Sequence, residues 1–393
     1  MFAKLFPILG ITFIDILGFS ILIPILPYYA RHFGASYVVV GALFSTFAFC
    51  QFIAGPLWGN LSDRIGRKAV LIISQIGATL GWAGLAFAPS LFWVFVARIV
   101  EGISGGNISV TQAYVADRID PAQRSRAFAY VGAAFSAGFV FGPAAGGLLL
   151  ARYGYRTPFL LAAGLQVVTL LTTVFFLPEQ VAAKAEREKA ATFGDIVRFL
   201  GDARVSPVLI QKLLFSLGLY AWFAVFALLL GILLRVGPSQ TSYFFALFAV
   251  LNIIVQLGLV GRLADRFGAR ATSNIGLVSA CCFFLLVPLM HDRFSLGATM
   301  ILFSVALALV NATLPTLLTD HSPANVRGTV LGVGASLESV AGVAVPTLST
   351  AVLSAYGPPW TGALSACFCA GALGLGLVAA RHESRDRLAG RAG

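Results

Sequence analysis

Twelve apolar stretches, each long enough to cross a membrane as a helix, dominate the sequence. A helix needs about 20 apolar residues to span the hydrocarbon core. The chain of 393 residues supplies such runs along most of its length, at 5–30, 37–60, 69–88, 91–116, 127–150, 157–177, 205–234, 239–263, 271–290, 295–319, 328–355 and 359–380. Since the sequence shows no alternating strand pattern, we predict an all-α polytopic membrane protein with 12 transmembrane helices.

Composition argues against a soluble domain. Hydrophobic residues make up 58% of the chain and charged residues 11%, whereas soluble domains carry about 25% charge. The net charge of +11 does not indicate a nucleic-acid partner, because the basic residues lie in short loops between apolar stretches. The first stretch, from Leu5 to Ala30, is long enough to span, so we interpret it as a helix and not as a cleaved signal peptide.

The basic residues also predict the orientation. Both termini and every second loop, beginning with the loop between spans 2 and 3, hold 20 of the 27 Lys and Arg residues, and the opposite loops hold five. Basic loops face the cytoplasm, so both termini are predicted to be cytoplasmic, as an even number of spans requires. We expect a multi-pass protein of the plasma membrane, which in a bacterium is the inner membrane.

The chain repeats itself at a shift of about 202 residues, which divides the spans into two related halves. GNLSDRIGRK at 59–68 recurs as GRLADRFGAR at 261–270. Asp117, Pro121 and Arg126 after span 4 recur as Asp320, Pro323 and Arg327 after span 10. Two parallel six-helix bundles follow, with a transport site expected near the midplane. The predicted parts are 1–177, the N-terminal bundle; 178–204, a cytoplasmic linker with an amphipathic segment; 205–380, the C-terminal bundle; and 381–393, a cytoplasmic tail.

Four motifs resemble those of the major facilitator superfamily and its twelve-span drug/proton antiporters, nearest to tetracycline and multidrug exporters. They are the charged loop at 59–68, Asp15 with Pro24 and Pro27 in span 1, Arg98-x-x-Glu101-Gly102 in span 4, and a glycine motif in span 5. The span 5 motif comprises Gly138, Gly142, Pro143, Gly146 and Gly147. In that family it is associated with antiport, packs against the other half and bends; simple close packing is the alternative. Tetracycline exporters carry further acids in spans 3 and 9, whereas span 3 here has Gly81 and Trp82 and span 9 has no acid.

Four ionisable residues are predicted deep within spans: Asp15, Arg98, Glu101 and Glu338. A charge at the bilayer centre costs at least about 2.5–3.5 kcal/mol, so these groups are expected to face water or one another. Arg98 and Glu101 are three residues apart and share a helix face. We assign Asp15 and Glu101 to proton or substrate coupling; a permanent structural pair is the alternative for Glu101. Glu338 suits coupling, substrate contact or helix packing, and we expect Lys212 to snorkel to the cytoplasmic surface.

Charged residues at the cytoplasmic ends of spans suit a gate, with topology-setting charges as the alternative. The first cluster is Asp63, Arg67 and Asp117, with Asp265, Arg270 and Asp320 as its weaker mirror. The same loops add Arg64, Lys68 and Arg126. Polar or aromatic residues within spans are candidate cavity linings, and helix packing is the alternative for each: Gln51, Asn107, Gln112, Tyr220, Trp222, Asn252, Gln256 and Asn311.

No cofactor or metal site is expected. The five cysteines lie in apolar stretches, the four histidines form no ligand cluster, and no phosphate-binding or dinucleotide motif occurs. The resulting prediction is a non-enzymatic, monomeric secondary transporter that exports small lipophilic or cationic compounds, such as drugs, in exchange for protons. The alternatives are a proton-coupled importer or metabolite exchanger, and a non-transporting receptor or membrane enzyme.

Overall fold

The computed structural model describes residues 2–105, 111, 114–115, 121–177, 193–323 and 326–392, and these form helices with no strand among them. The helices are α1 Phe2–His32, α2 Tyr37–Ile65, α3 Arg67–Ala86, α4 Leu91–Ser104, α5 Pro121–Tyr153, α6 Arg156–Phe176, α7 Phe193–Leu200, α8 Ser206–Leu233, α9 Pro238–Val255, α10 Gly261–Leu285, α11 Arg293–Asp320, α12 Arg327–Tyr356 and α13 Pro358–Ala392. A π-helical turn, Gln256–Val260, joins α9 to α10, and a short 3-10 turn, Val287–Leu289, follows α10.

Ten helical segments of the described chain are long and apolar enough to cross a membrane. One of them, Pro238–Leu285, runs for 48 residues and contains the predicted span 8 and most of the predicted span 9. The predicted span 91–116 is represented by α4 and by the helical residues 111 and 114–115; the rest of it lies outside the described residues. Proline inside several helices, such as Pro24 and Pro27 in α1, does not end them, as is common in membrane helices.

Left-handed backbone turns occur in matched pairs along the two halves of the chain. Gly66 (φ 98°) ends α2, and Gly268 (φ 80°) breaks α10, 202 residues later. Gly154 and Gly357 form a second pair, and Gly34 is matched by Arg235, the one non-glycine residue with positive φ in the described chain. Such turns favour glycine because a Cβ is strained at positive φ. The repeat read from the loop sequences is therefore also a repeat of backbone conformation.

Contacts divide the chain into two compact units. Unit 1 comprises Met1–Arg187 and Leu230–Ala249, and unit 2 comprises Glu188–Leu229 and Val250–Gly393. The segment 230–249 thus packs with the first unit, although its sequence belongs to the second repeat. It contains the end of α8 and the first part of α9.

Within unit 1, α1 packs along α5 and α6, while α4 packs between α2 and α3. Within unit 2, α10 packs against α11 and α13. An aromatic cluster fills the core of unit 2 around the buried Trp222, whose ring contacts Phe226, Phe283, Phe284 and Phe303 at centroid distances of 4.9–6.3 Å. Edge-to-face aromatic packing of this kind stabilises apolar cores.

Candidate functional site

A buried ion pair on α4 is the central charged feature of unit 1. The Nη1 of Arg98 donates to the carboxylate Oε2 of Glu101, one helical turn further on. Arg98 is completely buried and Glu101 is 6% exposed. The structure therefore places these two predicted residues together, as their spacing indicates.

Neighbouring helices enclose the pair by close approach. The Cζ of Arg98 lies 4.1 Å from the ring centre of Phe47 on α2, and Phe47 in turn stacks on Phe19 of α1. On the other side, a Cβ at Gly81 of α3 would lie 3.0 Å from the Cβ of Glu101. A glycine at 81 therefore lets α3 pack directly over the carboxylate helix, and Phe47 supplies an aromatic face for the guanidinium.

The guanidinium retains unused hydrogen-bonding capacity. Among the described residues, neither Nε nor Nη2 of Arg98 has a hydrogen-bond partner. A buried charge is tolerated only when it is paired, so Arg98 depends on Glu101. The converse also holds: if Arg98 moved away, a buried Glu101 would have to bind a proton or meet another cation.

Asp15 lies near the middle of α1 and is partly buried. The helix around it is held against α5 by the span 5 glycines. A Cβ at Gly138 would lie 2.9 Å from the carbonyl of Phe13, and the Ser20 hydroxyl donates to the carbonyl of Gly138 at 2.9 Å. Asp15 and the Arg98–Glu101 pair belong to the same unit.

The span 5 motif packs α5 closely against two partners within unit 1. Added Cβ atoms at Gly138, Gly142 and Gly146 would meet α1 at 3.0 Å or less. A Cβ at Gly147 would lie 2.7 Å from the Cβ of Ser242, at the start of α9. Pro143 lies inside α5 without ending it. The motif therefore brings backbones together, as glycines spaced four residues apart do in membrane helices.

Glu338 has a partner that sequence reasoning missed. The Nζ of Lys212 on α8 lies 3.3 Å from the Oε2 of Glu338 on α12. The amine of Lys212 thus contacts a carboxylate on another helix, and its snorkelling to the cytoplasmic surface stays a prediction. Residues on separate helices leave no spacing signal in the sequence, so the pair was not predictable.

The predicted cytoplasmic gate residues make local contacts where they are described. In unit 1, Arg67 donates to the Ser62 hydroxyl and Lys68 to the carbonyl of Val174 at 2.7 Å, while Arg64 is exposed. In unit 2, the buried Arg270 contacts Gln211 and His321, each at 3.4 Å, and Asp265 and Asp320 are exposed. Asp117 and the side chains of Asp63 and Arg126 lie outside the described residues.

The candidate cavity residues fall into several environments. Gln51 donates to the carbonyl of Gly105 at 3.1 Å and Asn252 to that of Ser304 at 3.2 Å, so both link helices. Trp222 is buried in the aromatic cluster of unit 2, and Tyr220 is partly buried. Gln256 and Asn311 are exposed. Asn107 and Gln112 lie outside the described part of the chain.

Long apolar helices, repeated glycine turns and a charge pair buried in one bundle define an α-helical polytopic membrane protein with an internal repeat. The family model described as Major Facilitator Superfamily matches residues 8–346, with a second match at 234–392. The chain therefore belongs to the Major Facilitator Superfamily. The predicted family and fold class are confirmed, and the chain is a membrane transporter of small molecules, not an enzyme.

Similar proteins match this chain over most of their length. The tetracycline resistance protein, class C, of Escherichia coli is 28% identical over 364 residues, which cover 90% of this chain and 91% of that protein. Multidrug resistance protein 2 of Bacillus subtilis is 27% identical over 350 residues, which cover 87% and 86%. The crystal structure of the human organic anion transporter MFSD10 has a TM-score of 0.72 and 23% identity, and the match covers 95% of this chain and 99% of that chain.

Proposed function

We propose that the protein is a proton-coupled exporter of small lipophilic or cationic compounds, working by alternating access. The buried Arg98–Glu101 pair carries this proposal. An exporter that exchanges solute for protons needs an acid that is ionised in one state and protonated in another. A carboxylate whose charge depends on one movable guanidinium meets that requirement.

The chemistry follows from the geometry of the pair. With Arg98 in place, the Glu101 carboxyl accepts from a guanidinium, and a nearby cation favours the ionised form of a carboxyl. Separation of the two groups leaves the carboxylate in a place where a lone charge is costly, so the carboxylate takes up a proton. Because Arg98 also contacts Phe47 of α2, and Gly81 of α3 packs on Glu101, movement of either helix against α4 changes this balance.

Two further observations support export of drug-like compounds. The span 5 glycines pack as close contacts, in a motif that is associated with antiporters by resemblance. Relatives of 27–28% identity are named tetracycline and multidrug resistance proteins. We therefore propose that this chain transports lipophilic or cationic solutes. We also propose that it lies in the plasma membrane with both termini in the cytoplasm.

Transport by purified protein in liposomes tests the proposal. Tetraphenylphosphonium serves as a lipophilic cation, the membrane potential is clamped with potassium and valinomycin, and an acidic lumen supplies the proton gradient. We expect the gradient to drive uptake of the cation while a lumenal dye reports loss of protons. Glu101→Gln is expected to reduce gradient-driven uptake at least about tenfold, since the exchangeable proton is removed.

A matched variant controls for reconstitution. Asp292→Asn removes an exposed acid at the N-cap of α11, outside the spans, and is expected to transport like the unmodified protein. Uptake that does not respond to the pH gradient, or that Glu101→Gln leaves unchanged, would contradict the proposal.

A further inference from the structure

A second ion pair within the spans lies in unit 2 and joins α8 to α12. Lys212 is six residues into α8, and Glu338 is eleven residues into α12. The 3.3 Å separation between Nζ and Oε2 is longer than the roughly 2.7–2.9 Å of a tight charge-assisted hydrogen bond. The contact between the amine and the carboxylate is therefore loose, although charged partners are scarce within membrane spans.

A small residue on α12 borders the path of the lysine side chain. Gly334 lies one turn before Glu338 on the same face of α12. A Cβ built at Gly334 would lie 3.4 Å from the Cδ and 3.7 Å from the Cε of Lys212. An alanine at 334 would therefore be in ordinary van der Waals contact with the lysine stem, and a longer side chain would occupy the path of that stem. The geometry directs the amine along α12 to Glu338.

The carboxylate is the more accessible member of the pair. The Glu338 side chain is 35% exposed and that of Lys212 is 16% exposed. Within the described part of the chain, Lys212 is the single cationic side chain within 4.0 Å of this carboxylate. Tyr220, two turns after Lys212 on α8, is near enough to interact electrostatically with Glu338, and an aromatic ring beside a carboxylate favours organic cations.

We propose that Glu338 binds the cationic group of a lipophilic solute, and that Lys212 is a tethered cation that occupies this site when solute is absent. The inference rests on the proposed export of lipophilic cations and assigns one binding site to it. An incoming cation displaces the Lys212 amine from Glu338 and takes its place beside the carboxylate. Lys212 thereby neutralises Glu338 when no solute is bound. A solute binds only when its affinity for Glu338 is high enough to displace the Lys212 amine.

Binding of two ions of matched shape and opposite charge tests this assignment. Tetraphenylphosphonium and tetraphenylborate are measured by equilibrium dialysis against the purified full-length protein in detergent. Lys212→Gln is expected to bind tetraphenylphosphonium about fivefold more tightly, because a part-exposed ion pair no longer competes with the ligand. Lys212→Arg keeps the competing charge and is expected to remain close to the unmodified protein.

Removal of the carboxylate completes the test. Glu338→Gln is expected to lose most binding of tetraphenylphosphonium, and Lys212→Gln is expected to add no affinity in that background. Weaker or unchanged binding of the phosphonium by Lys212→Gln overturns the proposal, as does absence of phosphonium binding to every variant. Tighter binding of tetraphenylborate by Glu338→Gln, without loss of the phosphonium, identifies Lys212 as an anion site and also overturns it.

Further measurements distinguish a loss of binding from misfolding and from a loss of transport. Lys212→Met, which keeps an unbranched stem without charge, repeats the measurement if Lys212→Gln fails to elute as a single species. Export can fail while this site stands: the phosphonium then binds more tightly to Lys212→Gln but drives no proton exchange in liposomes. If proton exchange occurs and the affinity of Lys212→Gln is unchanged, export stands and the tethered-cation site is rejected.

Discussion

Single glycine residues decide where charge can be buried in this transporter. Gly81 of α3 packs against Glu101, and Gly102 of α4 packs against α2. Each glycine therefore brings another helix close to the backbone of α4. Glu101 is consequently covered by packed helices, with Arg98 as its ionic partner. The ion pair and its enclosure form one arrangement, because a larger residue at either glycine would separate α4 from its neighbours.

Substitution of Gly102 tests this dependence. A Cβ there would lie 2.7 Å from both the carbonyl oxygen of Phe47 and the Cβ of Cys50, so α2 and α4 would have to separate. Overpacking of this kind costs about 1–3 kcal/mol. We expect Gly102→Ala to lower the midpoint of thermal unfolding in detergent by several degrees.

Gly164 provides the matched control for that experiment. It lies inside α6 with no atom within 4 Å of an added Cβ, so Gly164→Ala is expected to leave the midpoint unchanged or slightly raised, since alanine favours the helix. Equal effects of the two substitutions would show that the contact of α2 with α4 does not limit stability.

The sequence reveals pairs within one helix more readily than pairs between helices. Arg98 and Glu101 were predictable because three residues along a helix return to the same face. Lys212 and Glu338 are 126 positions apart on α8 and α12, and no local pattern links them. The contact of Arg270 with His321 was missed for the same reason.

At the scale of helices, turn chemistry determines most boundaries. The paired left-handed turns at Gly66 and Gly268 lie in the two copies of the charged loop motif. The segment from Pro238 to Leu285 has a non-helical residue at Gly268, between the two spans that the sequence predicts. A continuous apolar run followed by a short polar turn does not distinguish two separate helices from one that bends at a glycine.

Asp292 shows how one cap fixes the start of a helix. Its side chain accepts a hydrogen bond from the backbone N–H of Ser295 at 2.7 Å. In turn, the Ser295 hydroxyl oxygen accepts the backbone N–H of Asp292 at 3.2 Å, and the two bonds form a capping box before α11. The hydrogen bond from the Ser295 N–H holds the pKa of the Asp292 carboxyl below its ordinary value. Such a bond favours the ionised form of the carboxyl.

This lowered pKa predicts how the helix start responds to acid. A lowered pKa contributes stability that is complete above the ordinary value of about 4 and is lost as the pH falls through the lower, folded-state value. We expect the protection of the Ser295 amide against hydrogen exchange, corrected for intrinsic rate, to be constant from pH 7 to 5 and to decline below 4. Asp292→Asn, which caps without titrating, should show no such decline; an equal decline in both proteins would contradict the assignment.

At the scale of the whole molecule, the class of fold was readable from the sequence. Apolar length set the number of spans, basic loops set the predicted orientation, and repeated loop motifs indicated two related halves. The division of contacts into units was less accessible, because segment 230–249 belongs to the second repeat by sequence and to unit 1 by packing. Within unit 1, Tyr28 of α1 contacts the hydroxyl of Thr241 at 2.8 Å and the carbonyl of Val236 at 3.2 Å, and these bonds help attach the segment.

The proposed coupling of solute binding to proton release can be measured without a membrane. Tetraphenylphosphonium at saturating concentration is added to purified protein in weakly buffered detergent solution, and the change in pH is recorded. The unmodified protein is expected to release protons, and Asp292→Asn, whose exposed acid lies outside the spans, is expected to do the same. Glu101→Gln is predicted to bind the cation while releasing few or no protons; full release from Glu101→Gln would contradict the account.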